Sequence, residues 1–224
     1  MQNTRQEINS LPLSHDGCDA SNPPRRWVSE RGLWVVTGKQ TLGCYRAIIS
    51  WNFPEVEDVI PADGGLLLIF RRVMAVSDAL CAVLAAPCEG ALPARGAHHE
   101  IAVEYGGAAG PDLPLLAERA GMDEAAYIDR HSAVEYEVAF LGFQPGFPYL
   151  RGLPCALHAP RRSSPRVRVP AGSVAIGESY TGIYPAAGPG GWHVIGRTAS
   201  LLFDPRRAVP SMLMPGDRVC FVPA

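Results

Sequence analysis

Lysine is almost absent from this 224-residue sequence, in which Lys39 is the only lysine among 20 basic residues. Lys39 does not belong to a GxxxxGKS/T loop, so a P-loop nucleotide site is excluded. The glycine-rich stretches at residues 106–112 and 188–192 lack the GxGxxG spacing of a dinucleotide site. Nucleotide chemistry would therefore require another polypeptide or an unfamiliar site. Arginine, which is forked and permanently charged, is left as the main anion-binding residue.

Long hydrophobic runs are also missing, since no apolar stretch approaches the ~20 residues that span a bilayer. The first ten residues are polar and lack the apolar core of a secretory signal. The six cysteines are scattered, without a CxxC pair or a zinc-ligand spacing. We therefore expect a cytoplasmic protein with no membrane partner, no metal and thiols that are either buried or idle.

Charge is distributed unevenly along the chain. Residues 1–140 carry 11 basic and 19 acidic side chains, a net charge of −8, whereas residues 141–224 carry 9 and 3, a net charge of +6. The two parts are expected to attract opposite kinds of partner. Residues 112–133 have the pattern of a helix-turn-helix, but they hold five acids against two arginines. A recognition helix must neutralise phosphates, so no nucleic acid is expected as a partner.

The periodicity of the chain predicts two domains of an α+β protein. Residues 1–25 have no periodicity and predict a flexible tail. Residues 26–106 predict a small α/β domain, with strands at 33–37, 56–70 (broken near 61–65) and 100–105 and helices at 42–51 and 74–86.

Residues 107–224 predict a helical lead-in and then a β-rich domain. Asp112 and Asp123 predict the N-caps of two short helices, which end at Gly121 and near His131. Residues 142–191 hold nine glycines and eight prolines interleaved with aromatics. Short strands with rigid turns indicate a β-barrel or sandwich, and they are predicted at 136–142, 167–176, 192–197, 201–204 and 218–222.

Two motifs are candidates for a site. The segment APRRSSPRVRVPAGS sets four arginines in a proline-braced stretch, where they can bind a carboxylate or phosphate. A solvated or subunit-facing basic patch is the alternative. The segment LGFQPGFPYLRGLP combines rigid turns with apolar walls, which suits a preformed pocket or an interface. Its aromatic residues are Phe143, Phe147 and Tyr149.

Two polar residues have competing interpretations. His131 closes a predicted helix, so it either caps that helix or acts in proton transfer near neutral pH. Ser173 lies outside a GxSxG nucleophile elbow, and a serine hydrolase is not expected.

Several long motifs from about residue 101 onward resemble the family of the 5-oxoprolinase B subunit. They include YIDRHSAVEYEVAFLGFQPGFPYLRGLP, APRRSSPRVRVPAGSVAIG, TGIYPAAGPGGWHVIGRT and PGDRVCFVP. The family is also known as allophanate hydrolase subunit 1, and it includes a sporulation-kinase inhibitor and part of the carboxyltransferase domain of urea carboxylase.

The resemblance implies a small N-terminal α/β domain followed by a cyclophilin-like β-barrel. It also implies a role in the ATP-dependent opening of 5-oxoproline to glutamate, with subunits A and C as partners and a chain that is inactive alone. ATP would be shared with or supplied by those subunits. Two alternatives remain open: a non-catalytic regulator that binds a histidine kinase, and a subunit that processes allophanate or urea.

The resemblance further implies which residues form the site. The expected catalytic residues are His131, Arg166 and Tyr184. The expected substrate-binding residues are Phe147, Arg161, Ser173, Thr181, Trp192 and Arg197.

Overall fold

The computed structural model describes residues 23–73, 76–85 and 96–224. The chain divides into two compact units, one of residues 1–60 and 64–91 and one of residues 61–63 and 92–224. Most of the expected tail lies outside the described residues, as do residues 74, 75 and 86 of an expected helix. None of the described helices is long and apolar enough to cross a bilayer.

The first unit is a four-stranded sheet with two helices. The strands are β1 (Arg25–Trp27), β2 (Gly32–Val36), β3 (Val56–Ala62) and β4 (Gly65–Phe70), in the order β1-β2-β4-β3, and the helices are α1 (Thr41–Trp51) and α2 (Asp78–Ala85). Strand β2 pairs antiparallel with both of its neighbours. Alternate residues of β2 and β4, such as Leu33 and Leu68, are buried against Ile48 of α1 and Leu80 of α2. Strands and helices alternate as expected, but the tail prediction ran too far, because Arg25 already begins β1.

The second unit is a closed seven-stranded barrel, which confirms the α+β class. Its strands follow the order β10-β7-β6-β13-β5-β12-β9, and β8 and β11 form a separate two-stranded sheet. The bounds are β5 (His98–Tyr105), β6 (Glu135–Leu141), β7 (Pro148–Arg151), β8 (Arg166–Val169), β9 (Ser173–Gly177), β10 (Tyr180–Ile183), β11 (Gly188–Gly190), β12 (His193–Arg197) and β13 (Arg218–Pro223). Helices α3 (Leu113–Arg119) and α4 (Glu124–Ser132) follow β5.

The boundary between the units differs from the expected one at residues 106 and 107. Strand β5 belongs to the barrel, because it pairs parallel with β13 and antiparallel with β12. Its inward residues Ile101 and Val103 are fully buried in the barrel core. Residues 98–105 therefore belong to the second unit and not to the first.

Two strand predictions also differ from the structure. The predicted strand at 167–176 is two strands, because Pro170 lacks an N–H and Gly172 has a φ of +78°. Residues 201–204 do not form a strand. Phe203 makes only a single bridge to Ser211.

His131, in the last turn of α4, lies in the barrel core with no exposed surface. Its Nδ1 is 2.8 Å from the Tyr105 hydroxyl and its Nε2 is 3.0 Å from Thr181 Oγ1. Thr181 donates its own proton to the carbonyl of Ala175, so it accepts from the Nε2–H of His131. Nδ1 is then the acceptor of the Tyr105 hydroxyl. Burial lowers the pKa of His131 to about 3, which leaves the imidazole neutral.

This burial predicts that His131 contributes to acid destabilisation. The unfolded chain protonates His131 below its ordinary pKa of ~6.5, while the folded chain does not protonate it until about pH 3. The contribution of neutral His131 to the free energy of unfolding is complete above pH ~6.5 and is lost as the pH falls. Between about pH 7 and about pH 5.5, the wild type should lose about 1 kcal/mol more unfolding free energy than His131→Asn, measured by urea denaturation. NMR of the wild-type imidazole provides a check without the variant, and titration near pH 6.5 would contradict the assignment.

Candidate functional site

A cavity of about 170 Å³ opens in the barrel unit, walled by aromatic rings and by arginines. The residues that line it are Phe143, Phe147, Tyr149, Arg161, Arg162, Pro165, Tyr184, Gly190, Gly191 and Trp192. It is smaller than the ~300–1,000 Å³ typical of pockets for drug-sized molecules. Its dimensions therefore suit a small metabolite.

Local backbone bonds hold the walls in place. The turn between β6 and β7 is closed by Gly142 and Phe147, with the Gly142 N–H donating to the Phe147 carbonyl at 3.2 Å. The arginine segment is fastened to the chain just before and within β12. The Arg162 N–H donates to the carbonyl of Gly191 at 2.8 Å, and His193 Nε2 lies 3.0 Å from the carbonyl of Pro160.

Edge-to-face aromatic contacts form the apolar wall. The Phe147 ring lies 5.3 Å from Trp192 and 5.2 Å from Tyr184, with interplanar angles of 87° and 83°. Pairs of this kind contribute about 0.5–1.5 kcal/mol each beyond area burial. Gly190 makes this packing possible, because a Cβ at that position would overlap the Tyr184 hydroxyl. These contacts make the aromatic wall rigid.

Tyr184 supplies a neutral phenol to this wall. Burial raises its pKa, although a hydrogen bond from the Trp192 backbone N–H lowers it in part. The phenol therefore keeps its proton at neutral pH. A protonated phenol can donate a hydrogen bond to an oxygen in the cavity.

A buried carboxylate behind the cavity organises two of the arginines. Asp112, only 4% exposed, accepts from Arg166 through two bonds of 2.7 and 2.9 Å and from Arg162 at 3.0 Å. The Val194 N–H donates to the same carboxylate at 2.7 Å. Burial alone would raise the pKa of Asp112, but the Arg166 and Val194 hydrogen bonds and the two positive charges hold it below its usual value. Asp112 is therefore ionised at neutral pH.

Asp112 differs from its predicted role as a helix cap. Its carboxylate makes no cap bond to α3, whereas the Asp123 carboxylate accepts from the Ala126 N–H as expected. The anion bound by Arg166 is thus Asp112 of the same chain.

Arg161 has a different partner. Its Nε lies 3.2 Å from Glu178 Oε1, in a pair whose side chains are 56% and 62% exposed. Of the two arginines that line this cavity, Arg162 binds Asp112 and Arg161 does not. It is therefore the guanidinium available to a ligand.

The structure brings together only part of the predicted site. Phe147, Arg161, Tyr184 and Trp192 line the cavity, and Arg166 lies behind it, bonded to Asp112. The other four residues do not line it: His131, Ser173 and Thr181 are buried, and Arg197 is exposed with its Nε donating to the Ala171 carbonyl. The roles of these four in catalysis or binding stay predictions.

Asp112 and the Gly190–Gly191 pair were missed as site residues. Asp112 precedes Leu-Pro at a helix start, which is typical of a cap, and its arginine partners lie 50 and 54 residues away. No local signal identifies such a partner. Gly190 and Gly191 belong to a stretch whose simplest interpretation is a tight turn.

One group of metal-ligand side chains lies on the outer face of the barrel, away from the cavity. His98, Glu135 and Cys220, on the adjacent strands β5, β6 and β13, bring potential ligand atoms within 4.8 Å of one another. Arg218 Nη1 donates to both Glu135 oxygens at 3.0 Å. A cation would have to bind beside that positive charge.

The second unit is a closed barrel with a cavity walled by aromatic rings and arginines. Comparisons with known proteins identify the family to which the chain belongs. Residues 30–213 match the family model described as the carboxyltransferase domain, subdomain C and D. The chain belongs to this carboxyltransferase subdomain family. The resemblance to the 5-oxoprolinase B subunit is confirmed as well.

Curated relatives cover much of the chain. It is 44% identical over 203 residues to the B subunit of 5-oxoprolinase from Escherichia coli O157:H7, spanning 90% of this chain and 88% of that protein. The same protein of Haemophilus influenzae is 51% identical over 128 residues, 57% of this chain and 60% of that protein. The solved structure of TTHA0988 superposes with a TM-score of 0.73 at 37% identity, covering 87% of this chain and 40% of that one.

The Asp112 cluster predicts a large stability loss in Asp112→Asn. Removing one partner of a buried ion pair costs ~3–5 kcal/mol, and partial exposure of the arginines places the expected loss near 3 kcal/mol. Urea denaturation at neutral pH measures it, with the exposed Asp129→Asn as the matched control, expected below ~0.5 kcal/mol. Because the folded pKa of Asp112 is lowered, the difference should shrink as the pH falls below ~4. Equal stability of the two variants would show that the cluster contributes little.

Proposed function

We propose that this chain is the B subunit of a 5-oxoprolinase, which converts 5-oxo-L-proline, ATP and water to L-glutamate, ADP and phosphate. The observation that carries the proposal is the 44% identity to a 5-oxoprolinase B subunit across 90% of the chain. The A and C subunits are the proposed partners, the chain is inactive alone, and the complex works in the cytoplasm.

The cavity supports 5-oxoproline as the substrate. This molecule is a small five-membered lactam with one carboxylate, and a cavity of about 170 Å³ suits that size. The rings of Phe147 and Trp192 offer apolar contacts to the lactam ring. Arg161 offers a forked donor to the carboxylate. The neutral Tyr184 phenol is the proposed donor to the lactam carbonyl, and such a bond strengthens as negative charge develops on that oxygen.

ATP does not fit the same cavity. A nucleoside triphosphate is a drug-sized molecule, and the volume is below the range that such ligands need. The sequence also lacks a P-loop. We therefore propose that ATP binds to the partner subunits. The role of this chain is to bind and orient the lactam.

For the expected catalytic residues we propose a division of roles. Tyr184 acts on the substrate, and Arg166 positions the arginine segment through Asp112. His131 belongs to the barrel core, because both of its ring nitrogens are hydrogen-bonded within the chain and it does not line the cavity.

Reconstitution with the A and C subunits tests the proposed function. Release of glutamate and phosphate should require this chain, and an absence of stimulation would remove the proposal. A pull-down that recovers a histidine kinase and neither of those subunits would instead favour the regulatory alternative.

Arg161→Ala in that complex should raise the KM for 5-oxo-L-proline about tenfold. The loss of a charge-assisted hydrogen bond costs ~1.5–3 kcal/mol, and the half-exposed position of Arg161 puts the effect at the low end. Arg168→Ala is the matched control, since Arg168 is exposed and does not line the cavity. Steady-state kinetics would contradict the assignment if both variants had the wild-type KM.

A further inference from the structure

We propose that Glu178 tunes the affinity of the cavity for carboxylate ligands, by holding Arg161 in an ion pair that the carboxylate of the substrate must displace. This inference rests on the proposed function, and it adds a residue that determines specificity without itself binding substrate. Backbone conformation, placement, and the exposure of the pair support it.

The backbone provides the first argument. Among the described residues, three non-glycine residues have a positive φ: Asn52 at +49°, Phe143 at +66° and Glu178 at +59°. Asn52 caps the C-terminus of α1, where this conformation is common. Phe143 lines the cavity, and Glu178 pairs with an arginine that lines it. Glu178 opens a two-residue hairpin turn, which requires a positive φ at its first residue, and the turn holds Glu178 in this conformation although it is not a glycine.

The fold fixes the position of Glu178 through backbone bonds. It lies in the two-residue turn between β9 and β10, flanked by the paired residues Gly177 and Tyr180. Its N–H donates to the Ala159 carbonyl at 2.6 Å, and the Ala159 N–H donates to its carbonyl at 3.2 Å. This bridge brings Glu178 alongside the chain two residues before Arg161. The carboxylate therefore reaches the guanidinium from a position fixed by backbone bonds.

The Arg161–Glu178 ion pair differs from the pairing of Asp112 with Arg162 and Arg166. The Asp112 carboxylate is buried and accepts four hydrogen bonds, so its pairing with Arg162 and Arg166 persists when a ligand binds. The Arg161–Glu178 pair is more than half exposed, with Arg161 Nε 3.2 Å from Glu178 Oε1, and pairs of this kind are weak. A ligand carboxylate that binds the guanidinium fork through two oxygens can replace it. Glu178 thus competes with every carboxylate ligand and is indifferent to a neutral one.

Glu178→Gln in the reconstituted three-subunit complex tests this competition. The KM for 5-oxo-L-proline should fall about two- to fivefold, the range set by an exposed ion pair, with kcat unchanged. Inhibition by pyrrolidin-2-one, the same lactam without the carboxylate, should not change. Glu118→Gln is the matched control, because Glu118 is exposed on α3 and does not line the cavity.

A double-mutant cycle with Arg161→Ala shows whether Glu178 acts through Arg161. Adding Glu178→Gln to Arg161→Ala should leave the KM of the single Arg161 variant unchanged. The proposal is overturned if Glu178→Gln raises the KM, which would mean that Glu178 binds the substrate directly. It is also overturned if the KM changes equally with and without Arg161.

Two further measurements separate this inference from the proposed function. If the wild-type complex does not turn over 5-oxo-L-proline, the proposed function fails. Titration of this chain with acetate, followed by the Arg161 side-chain NMR signal, still tests the pair, since acetate should bind more tightly to Glu178→Gln than to the wild type. Equal binding would overturn the inference.

Glu178→Gly should melt at or above the wild-type temperature, because glycine adopts a φ of +59° without strain. A lower melting temperature would assign Glu178 a structural role instead.

Discussion

The barrel unit depends on one buried negative charge. Asp112 joins three segments that are distant in sequence: the loop before α3, the arginine segment at β8, and β12. An unpaired carboxylate at this depth would be too costly to bury, and four hydrogen bonds with two positive charges offset that cost. Asp112 therefore holds the arginine segment in place, because no other described acid pairs with Arg162 or Arg166.

Because of that pairing, the neighbouring arginines have different roles. Arg162 and Arg166 hold the segment against the barrel, and Asp112 neutralises one of their two positive charges. Arg161, one residue earlier, faces the cavity from a segment that is already rigid. A ligand that binds there does not have to order the chain first, and preorganisation of this kind lowers the entropic cost of binding.

Much of the fold followed from local patterns. The dense glycine and proline content of residues 142–191, with aromatics between, indicated a β-barrel or sandwich, and Asp123 indicated the start of α4. The domain boundary was misplaced because the alternation in β5 looks the same whichever sheet the strand joins. Part of the site was predictable: Phe147 is an apolar residue in a rigid motif, and Trp192 followed from the resemblance to the family of the 5-oxoprolinase B subunit. The partners of Arg166 and Arg161 were not, because Asp112 and Glu178 meet them only through tertiary contacts.

The parallel pairing of β5 with β13 affects when the barrel unit can fold. These strands lie side by side, yet the Ala97 N–H and the Asp217 carboxylate that bond at their start are separated by 120 residues. The ring of strands closes only after nearly all of the intervening chain has been synthesised and has found its place. Contacts of such long range slow folding, and until β13 arrives the edges of β5 and β6 stay open to other chains. Assembly of this unit is therefore a late event, and it falls in the interval when the nascent chain is most exposed to misassociation.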